Sequence, residues 1–208
     1  GVERAKALGH ILGEVQSLVT CGTREITLLG QNVNSYRWQD IDFESLLRHV
    51  AHVPGLWRVR FTTSHPIDMH AGIIEALRDE PALMEYLHLP VQAGSTKTLR
   101  RMSRKYSREE YLETIAEARR ILPELALATD IIVGFPGETD DDFEETLSLM
   151  AVVRYDAAYV FKYSMRPGTP AEKLEARDAV DPDVRQQRLE RVNALQARIS
   201  HEKNQPLI

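Results

Sequence analysis

The stretch ALATDIIVGFPGET, residues 126–139, determines the fold class, because an apolar run of strand length ends there in a turn rich in Gly and Pro. The same arrangement occurs in TLLGQNVNSY (27–36), RFTTSHP (60–66), HLPVQAGS (88–95) and FKYSMRPGTP (161–170). Segments with helical periodicity separate these runs, so the order is strand, loop, helix, repeated. That order predicts an α/β fold with a parallel sheet, as in a βα barrel, whose strand ends converge on one face. The predicted strands are 25–30, 58–63, 86–91, 126–133 and 158–163.

The segments between the strands carry signals for helix start and stop. Ser107 and Glu110 have the spacing of a capping box, and Pro123 prevents continuation, so a helix is predicted over 107–122. Thr139 is expected to cap the next helix, whose first turn is acidic and therefore matches the helix dipole.

The C-terminal part of the chain contains a predicted helix over 183–201. Before it, the stretch 166–183 contains several Pro and Gly residues and is interpreted as a linker-like segment that wraps the barrel. A length of 208 residues suits one substantial core, so we expect a single domain over 1–208, closed by the loop and helix of 166–208.

Composition and charge bear on nucleic-acid binding, on membrane contact and on the state of the cysteine. The formal net charge is −5, which gives no general case for nucleic-acid binding, so any RNA contact must be local. No stretch approaches the roughly 20 apolar residues needed to span a bilayer, and we expect a cytoplasmic protein without membrane contact. The single cysteine, Cys21, is expected to be a small buried hydrophobic residue.

Each predicted strand places ionisable residues on one of its two faces, since successive side chains alternate. These residues are Glu25, Arg58, Arg60, Tyr86, His88, Asp130 and Lys162. The opposite face, expected to pack against helices, carries Ile26, Leu28, Val59, Phe61, Leu87, Leu89, Ile131, Val133, Tyr159 and Phe161. Because acids and bases from adjacent strands can pair around water, the polar face predicts a ligand-holding lumen. The alternative is an open sheet whose polar face meets solvent.

The five strand-end turns together resemble those of the radical S-adenosylmethionine methylthiotransferases, over the whole chain. Five ordered motifs at consistent spacing are more specific than a lone glycine pattern. The turns at 30–34 and 63–66 are similar to those of the branch that acts on N6-dimethylallyladenosine at position 37 of tRNA. The resemblance implies a partial parallel βα barrel of the radical SAM type, with about five strands present.

This resemblance implies a transferase that methylthiolates C2 of that adenosine, with S-adenosylmethionine and two [4Fe-4S] clusters as cofactors. The implied partners are the tRNA anticodon loop and an electron donor for cluster reduction. However, the Cys-x-x-x-Cys-x-x-Cys loop that holds the first cluster in the family is absent, and Cys21 stands alone. We therefore expect the barrel core of a longer enzyme, inactive by itself, with no catalytic or metal-binding residue and no cluster of its own.

The resemblance also implies which residues bind the cofactor: Gly30, Gln31, Asn32, Ser64, His65, His88, Gln92, Ser95, Asp130, Ile132, Gly134, Lys162 and Arg166. In this assignment residues 30–32 approach the methionyl amino group, and residues 130–138 hold the adenine. Local chemistry offers alternatives, because Asn32 can simply stabilise a turn and Ser95 can simply cap a helix. His88 is interpreted as an interior histidine rather than a general base.

The basic cluster Arg100, Arg101, Arg104, Lys105 and Arg108 is a candidate contact for the tRNA backbone. The alternative is that these cations only favour a helix end. Two other functions remain open at this point. One is a cluster-free module that binds tRNA or a nucleoside, and the other is a methylthiotransferase acting on threonylcarbamoyl-adenosine or on a ribosomal protein.

Overall fold

All five predicted strands are present in the computed structural model, which describes residues 4–205. The described strands are β1 (Glu25–Leu28), β2 (Arg37–Trp38), β3 (Ile41–Asp42), β4 (Arg58–Phe61), β5 (Tyr86–His88), β6 (Ala126–Val133) and β7 (Ala157–Lys162). The helices are α1 (Leu8–Thr20), α2 (Phe43–Ala51), α3 (Ala71–Asp79), α4 (Thr96–Arg101), α5 (Arg108–Ile121), α6 (Asp140–Val153), α7 (Pro170–Asp178) and α8 (Pro182–Asn204). Helices alternate with parallel strands, so the predicted α/β class is confirmed.

By internal packing the chain divides into two units. The first unit consists of the residues up to Leu89 together with Ala116–Ala126, and the second consists of Pro90–Ile115 and the residues from Leu127 onward. Each unit has its own parallel strand pair and its own buried side chains.

In the first unit, β1 and β4 pair in parallel, and Leu28 lies beside Phe61. Phe61 meets Phe43 of α2 edge to face, with ring centroids 5.1 Å apart, and both rings are buried. Helix α2 begins at this contact because Asp42 accepts a hydrogen bond from the Ser45 N–H at 2.9 Å. The core therefore forms directly beneath the carboxyl ends of β1 and β4.

The antiparallel pair β2–β3 was not predicted. Arg37 pairs with Asp42 and Trp38 with Ile41, around a turn in which Gln39 has a φ of 51°. Strands of two residues are too short to show a period-2 pattern, so the sequence carries no signal for them.

In the second unit, β6 and β7 pair in parallel, and their register corrects one expectation. Val133 lies beside Lys162 and Asp130 lies beside Tyr159, so Lys162 is on the opposite face of the sheet from Asp130. Tyr159 and Phe161 are 54% and 55% exposed, contrary to the expectation that they pack against helices. The predicted alternation was correct within each strand, but the phase between the two strands depends on their register.

The helix boundaries largely follow the predicted signals. Ser107 donates its backbone N–H to Glu110 at 2.7 Å, and the Glu110 N–H returns to the Ser107 hydroxyl at 3.1 Å, which confirms the capping box. Thr139 caps α6 through Asp142, as expected for a Thr at that position. The last helix was predicted over 183–201 and is longer in the structure, since it begins at Pro182.

Two local expectations are wrong. The stretch 166–183 contains α7, which begins with Pro at its first position, where the missing N–H costs nothing. Cys21 is exposed at the end of α1 rather than buried. Among the described residues, no helix combines the length and the apolar character needed to cross a membrane.

Candidate functional site

Two strand-end loops of the first unit, residues 30–36 after β1 and 62–68 after β4, are hydrogen-bonded to each other. The Val33 N–H donates to the Thr63 carbonyl at 3.3 Å. The Asn34 side chain bridges the loops twice, because Nδ2 donates to the His65 carbonyl at 3.0 Å and Oδ1 accepts from the His65 N–H at 2.7 Å. We call these two segments the interlocked loops. Five predicted cofactor residues are brought together there: Gly30, Gln31, Asn32, Ser64 and His65.

Thr63 adopts a left-handed backbone conformation in the second of these loops, with a φ of 62°. A β-branched residue in this region is strained, and such strain persists only where surrounding contacts fix it. The Thr63 hydroxyl supplies one such contact by bonding to the Gly30 carbonyl. The interlocked loops are therefore held in a defined shape at the end of the strand pair.

Two polar atoms of the interlocked loops are buried without a hydrogen-bond partner among the described residues. They are Oδ1 of Asn32 and Oγ of Ser64, whose residue is only 4% exposed. Leaving such an atom unpaired costs about 1–3 kcal/mol, and buried polar groups in folded proteins are nearly always paired. The arrangement can therefore accept a donor group from a ligand.

A cleft of about 760 Å³ opens beside the first of these loops. Gly30, Gln31 and Asn32 line it, together with apolar residues of α1 such as Ile11 and Leu18. Gln31 is exposed. A cleft of this volume with a mixed lining suits a small organic ligand. His88 ends β5 in a half-buried position.

In the second unit, backbone hydrogen bonds bring three predicted residues together. The Gln92 N–H donates to the Asp130 carbonyl at 2.9 Å, and the Ile132 N–H donates to the Gln92 carbonyl at 2.8 Å. Gln92 has a φ of 70°, a conformation that is uncommon for a residue with a side chain. Its strained backbone therefore lies directly beside the residues expected to bind adenine.

Ser95 is engaged within the protein. Its hydroxyl donates to Asp142 Oδ1 at 2.7 Å and accepts from the Thr98 N–H at 3.4 Å. Burial opposes ionisation of Asp142, but hydrogen bonds from Lys97, Thr139 and Ser95 outweigh it and hold the pKa of that carboxyl well below its usual range. These contacts favour the helix-cap interpretation of Ser95 over a cofactor contact.

In the glycine-containing loop 134–138 after β6, the Glu138 carboxylate accepts hydrogen bonds from backbone N–H groups of the same loop. Glu138 Oε2 accepts the N–H groups of Gly134 at 2.8 Å and Phe135 at 3.2 Å. Burial raises the pKa of Glu138 to about 7, against the opposing effect of Arg188 and the two N–H groups. Because these donors are already paired, the loop does not offer them to a phosphate group.

Two further predicted residues follow β7 or lie at its end. Lys162 Nζ donates to Gln186 of α8 at 2.9 Å, on the opposite face from Asp130, so the expectation that it faces the Asp130 side is wrong. Arg166 is exposed, and its carbonyl accepts from the Thr169 hydroxyl at 2.8 Å. Arg166 is therefore free to point into solvent.

Some side chains of the basic cluster are bound within the protein and others are exposed. Arg101 donates to the Pro136 carbonyl at 2.9 Å and pairs with Asp178, so its side chain is used in contacts within the second unit. Arg108 donates to the Gly94 carbonyl at 3.0 Å. Arg100 and Lys105 are exposed, and Arg104 is half-buried. Only part of the cluster thus remains open to a partner.

Sequence reasoning missed the roles of Glu138, Asp142, Arg188 and Asp68. The acidic residues after Thr139 were interpreted only through the helix dipole, whereas Asp142 also joins α4 to α6 through Ser95. The Thr-x-x-Asp spacing at 139–142 was a usable signal for this cap. Arg188 and Asp68 reach partners 50 and 36 positions away, and no local pattern reports such contacts.

The family model for the radical SAM superfamily matches residues 1–150. The chain belongs to the radical SAM superfamily. Solved radical SAM structures agree in fold. Coproporphyrinogen III oxidase from Escherichia coli superposes with a TM-score of 0.69 at 16% identity, over 92% of this chain and 46% of its own. Methylornithine synthase gives a TM-score of 0.61 at 18% identity, over 94% of this chain and 56% of its own. At these identities the likeness shows the fold alone.

Three curated relatives of this radical SAM chain carry the name tRNA-2-methylthio-N(6)-dimethylallyladenosine synthase. The protein of Acetivibrio thermocellus is 50% identical over 98% of this chain and 43% of its own length. Those of Clostridium botulinum and Thermoanaerobacter sp. are 48% and 50% identical, over 46% and 44% of their lengths. The chain therefore spans less than half the length of these curated relatives.

The residues present do not fit an iron–sulfur cluster, because such clusters are held by several cysteine thiolates and this chain has only Cys21. Within residues 4–205, no group of three His, Cys, Asp or Glu side chains could hold a metal ion. The residues present do fit S-adenosylmethionine, because the unpaired acceptors of the interlocked loops suit its amino group. Asn32, which lines the cleft, would hold that end of it.

Proposed function

We propose that this chain is the S-adenosylmethionine-binding barrel core of a tRNA methylthiotransferase. The reaction replaces the C2 hydrogen of N6-dimethylallyladenosine with a methylthio group, at adenosine 37 in the anticodon loop. The observation that carries the proposal is the 50% identity to a named synthase over 98% of this chain. Because tRNA is the substrate, we place the reaction in the cytoplasm, with an electron donor as a second partner.

The interlocked loops support this proposal at the level of residues. They are built from GQNVNSY and TTSHP, the two turns whose resemblance favours the dimethylallyladenosine branch. Asn32, whose Oδ1 has no partner among the described residues, lines a cleft of about 760 Å³. When bound, S-adenosylmethionine supplies a sulfonium whose carbon–sulfur bonds provide transferable groups. Asn32 of this chain, which lines the cleft, orients it.

The decisive experiment uses a strain lacking the gene and measures its tRNA nucleosides by mass spectrometry. We expect N6-dimethylallyladenosine to accumulate without its 2-methylthio derivative, and the full-length gene to restore that derivative. Loss of the threonylcarbamoyl derivative, or of a modified ribosomal protein, would instead support one of the other branches. Unchanged nucleosides and proteins would defeat the assignment, leaving a tRNA-binding module as the alternative.

The exposed cations test the proposed RNA contact. We expect Arg100→Glu with Lys105→Glu to weaken tRNA binding and to reduce its salt dependence, because each cation near a phosphate releases counterions. Arg119→Glu with Arg120→Glu, on α5, makes the same charge change elsewhere on the chain and is the matched control. Equal loss of tRNA affinity in the two double variants would mean that net charge, and not the position of these cations, determines binding.

A further inference from the structure

Helix α7 (Pro170–Asp178) makes little apolar contact with the rest of the second unit. Each of its residues is exposed or half-buried in the structure, and Leu174, its one large apolar side chain, is half-buried. A helix of this length is marginal without tertiary contacts, because packing of an apolar face supplies most helix stability in proteins. Polar contacts must therefore hold α7 in place.

The last residue of α7 is joined to the loop 134–138 after β6. Arg101 makes this link, because its Nη2 pairs with the Asp178 carboxylate and its Nε donates to the Pro136 carbonyl at 2.9 Å. The Gly137 N–H also donates directly to the Asp178 carbonyl at 2.7 Å. Gly137 has a φ of 77°, and an added Cβ there would overlap the Arg101 guanidinium. The close approach of Arg101 to this loop therefore depends on a glycine.

A second arginine makes a similar link about one turn earlier in α7. Arg185 of α8 donates from Nη2 to Glu175 Oε1 at 2.6 Å. Its aliphatic stem covers Gly134, where an added Cβ would overlap the Arg185 Cγ atom. The guanidinium also lies over the Tyr163 ring, 5.5 Å from the ring centroid. Each of the two arginines thus contacts the loop and binds a carboxylate of α7.

The closed arrangement leaves polar atoms unpaired at the second link. Glu175 Oε2, Arg185 Nε and Tyr163 Oη are buried and have no hydrogen-bond partner within residues 4–205. An unpaired buried polar atom is unfavourable, and exposure to water removes that cost. Beside the first link, residues 137–140 and 178–180 line a cleft of about 650 Å³, so the chain after α7 is not packed closely against the loop. Both features lower the free energy needed to open α7.

We propose that α7 is a lid over the loop 134–138 and that it opens as one unit while β6 and β7 stay paired. Opening breaks the two arginine–carboxylate contacts and the Gly137–Asp178 hydrogen bond, and it exposes little apolar surface. It uncovers the loop at the carboxyl end of β6, and ligands of parallel α/β sheets bind at that end. This lid does not depend on the proposed function, since all of its contacts lie within the second unit.

The test measures hydrogen–deuterium exchange of the full-length gene product at several low urea concentrations, by mass spectrometry with fragmentation to single residues. The Gly137 N–H reports opening of α7, because its acceptor is the Asp178 carbonyl. The Ile132 N–H donates to the Gln92 carbonyl at 2.8 Å and reports unfolding of the sheet in the second unit.

We expect the Gly137 N–H of the wild type to exchange at least about tenfold faster than the Ile132 N–H, because local opening requires less free energy than unfolding of the sheet. Its exchange rate should depend little on urea, since the urea dependence of an opening reaction scales with the surface that it exposes. Equal exchange rates at the two positions, with the same urea dependence, would overturn the proposal.

The variant Glu175→Gln tests whether α7 opens as one unit. Glu175 lies three positions before Asp178, and loss of its charge weakens only the contact with Arg185. We expect exchange of the Gly137 N–H to become about tenfold faster, the value of one hydrogen bond to a charged group. Neutralising a carboxylate in the last turn of a helix favours that helix through its dipole, so a weaker helix is not the cause.

The matched control is Glu144→Gln, which makes the same change in the exposed ion pair between Glu144 and Arg191 on other helices of the second unit. It should leave exchange of the Gly137 N–H unchanged. Slow exchange of the Ile132 N–H in each variant verifies that the sheet is folded. A Gly137 rate that Glu175→Gln leaves unaltered, or that both substitutions alter equally, would show that α7 does not open as a unit and would overturn the proposal.

Discussion

Arg188 of α8 forms a hydrogen-bonded ion pair with Glu138, the last residue of the loop after β6. Its Nη1 lies 3.1 Å from the Glu138 carbonyl oxygen and 3.2 Å from Oε1, and both side chains are buried. Nη2 bonds to Asp140 at 2.7 Å. The C-terminal helix thus holds the same loop that supplies the Gly134 and Phe135 N–H groups to the Glu138 carboxylate.

Arg188→Met should destabilise the protein strongly at pH 8, where Glu138 is ionised. Removing one partner of a buried ion pair leaves an uncompensated charge, which costs about 3–5 kcal/mol. Urea unfolding followed by circular dichroism measures this. Arg191→Met is the matched control, since Arg191 also lies over the Phe143 ring but pairs with Glu144 in solvent. It should cost about 1 kcal/mol or less, and equal losses for the two variants would contradict the buried role of Arg188.

Glu138→Gln should change how stability depends on pH. Because burial raises the folded pKa of Glu138 to about 7 from an ordinary 4.5, the folded state binds this proton more tightly than the unfolded state does. The stabilising effect is complete below about pH 4.5 and is lost as pH rises to 7, a change of about 3 kcal/mol. The difference in unfolding free energy between wild type and variant, measured from pH 5 to 8, isolates this group. Parallel curves would mean that Glu138 stays ionised throughout.

Ser95→Ala should lower stability without changing cofactor affinity. The hydroxyl caps α4 and donates to Asp142, so its loss should cost about 1 kcal/mol. Ser95→Thr, which keeps the hydroxyl, should restore most of the difference. Chemical denaturation and S-adenosylmethionine dialysis together decide the role of this residue. Weaker binding with unchanged stability would support the cofactor contact instead.

Gly94→Ala should be disruptive, because an added Cβ would lie 2.4 Å from the Thr146 Cα and 2.6 Å from the Glu145 carbonyl oxygen. Backbone atoms cannot move aside cheaply, so a loss of about 2 kcal/mol or more is expected. Gly13→Ala is the control, since nothing lies within 4 Å of its Cβ position inside α1. That variant should gain about 0.5–1 kcal/mol from helix propensity. Thermal denaturation compares the two, and similar melting temperatures would contradict the close approach at Gly94.

The sequence by itself determined the alternation of strands and helices, the caps at Ser107 and Thr139, and the chemical character of the strand-end turns. These features depend on contacts within a few residues, such as the Ser107–Glu110 pair, and local contacts leave readable patterns. The resemblance carried by the turns likewise identified the superfamily that the family model matches.

Only the tertiary structure decided which side chains share a face and which polar groups remain unpaired. The register of β6 and β7 placed Lys162 opposite Asp130, and the contact between Asp68 and Asn32 joins residues 36 positions apart. A one-residue change of register reverses every side chain of a strand, and hydrogen bonds between distant loops depend on where the whole chain folds. Neither is encoded in any short stretch of sequence.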